Sequence, residues 1–113
     1  MKFDLYEFSA RNIMRCVSAR GFNHPLTTWS ASDWAVAFMG EAGEACNVLK
    51  KLNRLRDGVR EVKTREELEA DFVDELADAF IYLDLLCQAT GVDLPNAVIS
   101  KFERDSAKIG YME

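Results

Sequence analysis

Apolar residues recur at helical spacing from Asp4 to Ile109, and no stretch alternates as a half-buried strand would. That single period confines the chain to helices, and its stop signals divide it into four. A first helix is expected over about Asp4 to Ala19, with Tyr6, Ala10, Ile13 and Val17 on its apolar side and Asp4, Arg11 and Arg15 opposite. Gly21 stops it, and Asn23-His24-Pro25 followed by Thr27-Thr28 reads as loop. Ser32 is placed to cap a long second helix, about Asp33 to Arg56, which Asp57-Gly58 ends. Thr64 and Glu67 form a capping box that opens a third helix running to about Thr90, with Gly91 at its C′ position. Asp93 caps a fourth helix that tolerates Pro95 in its first turn and ends near Ile109, before Gly110.

Four amphipathic helices in 113 residues predict one all-α domain over residues 1–113, a four-helix bundle. With 49% hydrophobic residues the chain can build a core. In the third helix Ile81 and Leu85 point away from the stripe of Leu68, Phe72, Leu76, Phe80 and Leu83. A second apolar face needs a second partner, so a homodimer or homotetramer is expected. No apolar run reaches the roughly 18 residues of a membrane span. Met1-Lys2-Phe3-Asp4 lacks the apolar core of a secretory signal, and Cys16, Cys46 and Cys87 are odd in number and widely spaced. Buried free thiols and a cytoplasmic location are the expectation. His24 is the only histidine, which removes zinc fingers and Glu-x-x-His di-iron sites from consideration. A net charge of −5 argues against a surface that grips nucleic acid. The basic stretch 50–65, interrupted by Asp57 and Glu61, supports a DNA-reading helix poorly.

The acids carry more information than the bases. On a helical wheel Trp34, Phe38, Ala45, Val48, Leu52 and Leu55 all fall within about 60° of Glu41. Glu41 thus sits in the middle of an apolar stripe, with Glu44 on its edge. Carboxylates on a buried face are costly unless paired or bound to a cation. Lys51 is the only base near enough to pair with Glu41. The third helix brings Asp71, Glu75, Asp78 and Tyr82 along a strip that borders its apolar stripe. Packing these helices antiparallel would gather Glu41, Glu44, Glu75 and Asp78. An all-oxygen set of this kind suits Mg²⁺ or Mn²⁺. For Glu75 and Asp78 alone a solvated surface is the simpler reading, because Glu66 to Asp78 holds seven acids. Gly40 and Gly43 flank Glu41, and glycines inside a helix suggest close approach by another helix or a ligand. Seven of the 14 Lys and Arg residues lie in 50–65, and Lys101, Arg104 and Lys108 form a second group. A solvated surface accounts for most of these bases, and some are placed to meet the phosphates of a polyanion.

Gly40-Glu41-Ala42-Gly43-Glu44 followed by Asp74-Glu75-Leu76-Ala77-Asp78 resembles the paired ExxE and ExxD motifs of MazG-like nucleoside triphosphate pyrophosphohydrolases. Gly91 to Lys101, and Tyr82 four residues after Asp78, look like the dCTP pyrophosphatase branch of that family. The resemblance covers roughly residues 30–111. It implies a MazG-type helical fold in a homo-oligomer and the reaction NTP + H₂O → NMP + PPi. It also implies Mg²⁺ held by Glu41, Glu44, Glu75 and Asp78, with Glu41 or Glu44 as general base. Lys101 and Lys108 would steady pyrophosphate, while Trp29, Trp34 or Tyr82 would stack on the base; Lys51 is a further substrate contact. The chain departs from the pattern in three places. Thirty residues separate Glu44 from Glu75, a slightly long spacing that the loop at 57–63 can absorb. Asp105 stands where the family usually has Asn, and Lys108 where it often has Arg. The rival expectation is a non-catalytic helical oligomer that binds nucleotide or metal as a regulatory module.

Overall fold

The computed structural model describes residues 2–112, and every regular element among them is helical. Helix α1 spans Leu5–Val17, α2 Ala31–Arg56, α3 Arg65–Thr90 and α4 Leu94–Ile109, with a single 3₁₀ turn at Leu26–Thr28. Caps set these boundaries. Asp4, Thr64 and Asp93 each accept a backbone N–H three residues on, and Gly91 and Gly110 close their helices in the left-handed region. The start of α2 corrects the sequence reading. Ser30, not Ser32, is the cap, because Asp33 bonds back to it and completes a capping box.

Helices α2 and α3 form a long antiparallel hairpin, and α1 lies across α3 with the 3₁₀ turn beside it. Trp34, Ala45 and Val48 are the buried face of α2, the same face that carries Glu41. Trp34 is 2% exposed and donates its indole N–H to the Leu26 carbonyl at 3.0 Å. It anchors a core with Cys16 and Leu85, against which Val17, Leu26, Tyr82, Leu86 and Ala89 pack. Truncating such a residue to Ala would cost about 3–5 kcal/mol.

Two predicted faces turn out differently. On α1 the buried residues are Asn12 and Cys16, while Tyr6 and Ala10 are exposed. The hydroxyl of Tyr6 instead donates to Asp93. A polar network between Asn12 and α3, described below, decides which side of α1 faces inward. On α3 the deepest residues are Leu68, Asp84, Leu85 and Cys87, whereas Leu76 is about half exposed. Because α1 and α2 flank α3, the chain itself covers the face of Ile81 and Leu85 that was assigned to another subunit. Phe80 meets Phe3 and Phe8, at centroid distances of 6.1 and 6.0 Å. The three cysteines are free, but Cys46 is exposed rather than buried. No helix among the described residues is long and apolar enough to cross a membrane.

Candidate functional site

The α2–α3 hairpin brings the predicted acids together. Glu41, Glu75 and Asp78 each offer a carboxylate oxygen, all within 4.8 Å of one another. Glu41 and Glu75 are half-buried, and Asp78 is exposed. Burial pushes the Glu41 carboxyl above the ordinary range, helped by the charges of Glu44 and Asp78. A hydrogen bond shared with Glu44 raises Glu75 most, ahead of its burial and the charges of Glu44, Asp78 and Glu41. The Oε2 atom of Glu75 is buried and meets no donor. Clustered carboxyls with raised affinity for protons and an orphaned oxygen make a set that could hold a hard divalent cation.

Beside this group lies a cavity of about 450 Å³, which Glu41 and Asp78 line on one side. Its walls come from α1 (Asn12, Arg15, Cys16), the loop after it (Phe22, His24, Trp29), α2 (Trp34) and α3 (Ile81, Tyr82, Leu85). Trp29, Trp34 and His24 meet edge to face, with centroids 4.6 to 5.4 Å apart. Tyr82 is held protonated first by burial, then by the charges of Glu41 and Asp78. The loop can fold over the end of α1 only because residue 21 is Gly. A Cβ there would lie 1.9 Å from the Arg15 carbonyl oxygen. That same carbonyl accepts from Phe22 N–H at 2.9 Å, and Asn23 takes a left-handed φ of 52° before His24.

The structure therefore gathers Glu41, Glu44, Glu75, Asp78, Tyr82 and Trp29 in one region. It does not bring Lys101, Lys108, Lys51 or Asp105 to the cavity wall or the acidic triad. Lys101 pairs with Asp105 at 2.8 Å on α4, a helix that packs only sparsely on the others. Four bases of the 54–65 stretch are likewise in surface ion pairs: Arg54 with Glu61, Arg56 with Asp57, Lys63 with Asp71 and Arg65 with Glu69. The solvated reading of that stretch holds for these four. Gly40 and Gly43 face open space, so no element among the described residues approaches them closely. Sequence reasoning missed Asn12, Arg15, Phe22 and His24 as cavity residues. The available signal was an asparagine one turn before Cys16 and a loop built as Gly-Phe-Asn-His-Pro. Comparison of the chain with protein-family models, with curated proteins and with solved structures returns no match.

Proposed function

We propose that the protein hydrolyses a nucleoside triphosphate to the monophosphate and pyrophosphate with the help of Mg²⁺. The observation that carries this reading is adjacency: a carboxylate cluster with an all-oxygen donor set opens onto an aromatic cavity. A nucleotide has the matching two-part chemistry, with a flat base for the aromatic walls and a polyphosphate that needs a cation among acids. The motif resemblance noted above points the same way.

Glu41, Glu44, Glu75 and Asp78 would hold the cation, which supplies neutralising charge to the triphosphate oxygens when bound. Water's oxygen bonds to one phosphorus of the α–β anhydride, and the bridging oxygen leaves with the other. Glu41 or Glu44 takes the proton that water releases. Trp29 and Tyr82 stack on the base, and Arg15 adds a cation at the cavity wall. Lys101 and Lys108 stand apart within one chain, so in this reading they reach the phosphates from a second copy. The test is turnover of dNTPs with Mg²⁺ by the wild type and by Glu41→Gln and Glu75→Gln. Loss of at least about 100-fold in kcat with folding retained is expected from general base or cation loss. Wild-type turnover in both variants would contradict the assignment, and Mg²⁺-dependent nucleotide binding without product would favour a non-catalytic module.

A further inference from the structure

A buried polar network holds α1 to α3, and the hydrolase reading has not used it. The buried residues of α1 are Asn12 and Cys16, while Tyr6 and Ala10 of its apolar stripe stay outside. Four hydrogen bonds cross between the two helices. Asn12 Nδ2 donates to the Ile81 carbonyl at 3.0 Å and to Asp84 Oδ2 at 2.9 Å. The Ser9 hydroxyl donates to Asp84 Oδ1, and Gln88 Nε2 donates to the Ser9 carbonyl at 3.0 Å. Asp84 is 1% exposed, and no base among the described residues forms an ion pair with it. A carboxylate held only by neutral donors gives up its hydration when α1 docks and regains it when α1 lifts away. Separating such an interface costs less than peeling off an apolar face of equal area. Apolar contacts lie toward the ends of α1, with Phe8 on Phe80 and with Cys16 and Val17 in the Trp34 cluster.

The chain after α1 is tied to that helix as far as His24. Phe22 N–H donates to the Arg15 carbonyl at 2.9 Å, Asn23 N–H to the Ser18 carbonyl at 2.9 Å and His24 N–H to the Cys16 carbonyl at 2.8 Å. The Cys16 thiol donates in return to the His24 carbonyl at 3.2 Å. From Pro25 onward the bonds run the other way. Thr28 N–H donates to the Pro25 carbonyl at 3.1 Å, and the Trp34 indole donates to the Leu26 carbonyl. No hydrogen bond among the described residues joins the segment 5–24 to the 3₁₀ turn or to α2. The cavity lies on this seam. Asn12, Arg15, Cys16, Phe22 and His24 line it from one side, and the α2–α3 hairpin closes the other. We propose that residues 5–24 form a gate, hinged at Pro25 and latched by Asp84, which opens the cavity while the α2–α3 hairpin stays folded. The gate goes beyond the hydrolase reading and holds for whatever ligand the cavity takes.

The chain carries its own probes. Cys16 sits on the gate, lines the cavity and is 4% exposed, whereas Cys46 on α2 is exposed. The test is alkylation of the full chain with iodoacetamide, followed at each cysteine by mass spectrometry, beside hydrogen exchange of the hairpin amides around Val48 and Leu68. Cys46 reacts at once and marks the rate of an open thiol. Cys16 is expected to react more slowly, yet while the hairpin amides remain protected. Asp84→Ala is expected to speed Cys16 by about tenfold or more, the effect of losing hydrogen bonds to a charged group, and to leave the hairpin amides unchanged. A merely structural role for Asp84 would speed both probes together. Should Asp84→Ala not fold, Ser9→Ala decides, since it removes one donor at the edge of the latch; about threefold faster labelling of Cys16 is then expected. Labelling of Cys16 that keeps pace with hairpin exchange, or a Cys16 rate that neither variant changes, overturns the proposal. Turnover without gating would sink this inference alone, and gating without turnover would sink the hydrolase reading alone.

Discussion

Glu41 is the residue on which most of the proposed chemistry turns. Its carboxyl is drawn into a half-buried face beside three others, and protons bind it more tightly than they bind an unfolded glutamate. The same holds for Glu75. Because both are raised on folding, the stability they contribute is complete below the unfolded-chain value of about 4.3. It is lost as pH rises through their folded values. The metal-free protein should therefore show, from these two groups, a thermal midpoint that falls with rising pH across and above the ordinary carboxylate range. Glu41→Gln should flatten that fall, and saturating Mg²⁺ should offset it in the wild type but much less in the variant; melting curves with Mg²⁺ or EDTA check both. Glu41 was legible in the sequence because a wheel exposes an acid on an apolar stripe. Asn12 and Arg15 were not, because a wheel counts polar side chains as outward-facing. What turns Asn12 inward is Asp84, 72 residues away in the chain, and no local pattern records that pairing.

Among the elements, the segment from Gly21 to Trp29 does the most to shape the site, although it holds only one short helical turn. Gly21→Ala would force the loop off the Arg15 carbonyl, displacing Phe22 and His24. The expected loss is about 1–3 kcal/mol of stability, typical of overpacking, together with weaker ligand binding. Gly40→Ala should act oppositely. Its Cβ would meet open space inside α2, and replacing a helical glycine should raise stability by about 0.5–1 kcal/mol. Chemical denaturation of the two variants reads both signs. Helix ends were legible wherever a cap was unambiguous, as at Thr64, Asp93 and the glycines that follow α3 and α4. The start of α2 was misplaced because Ser30 and Ser32 both offer a hydroxyl, and only the reciprocal bond from Asp33 chooses between them.

Taken whole, the molecule is extended for its length. Its radius of gyration is 17.6 Å, where a compact chain of this size would have about 13 Å. The 26-residue helices α2 and α3 form a long hairpin, and α4 packs sparsely on the rest, leaving Val98, Ile99, Phe102 and Ile109 more than half exposed. Exposed apolar side chains along one helix favour burial against another chain. The account therefore predicts a dimer or tetramer by sedimentation, shifted toward smaller species by Phe102→Asp. Retention of a monomer at all concentrations would remove the proposed route by which Lys101 and Lys108 would reach a site. The all-α class was legible from period alone. The unpacked α4 was not, since an amphipathic pattern shows that a face seeks a partner without saying whether the partner is in the same chain. The central claim is settled by product identity. The purified protein is incubated with each dNTP and Mg²⁺, and phosphorus-containing products are resolved. Nucleoside monophosphate and pyrophosphate in equal amounts is the predicted result. Inorganic phosphate with nucleoside diphosphate, or no turnover of any nucleotide, would contradict it.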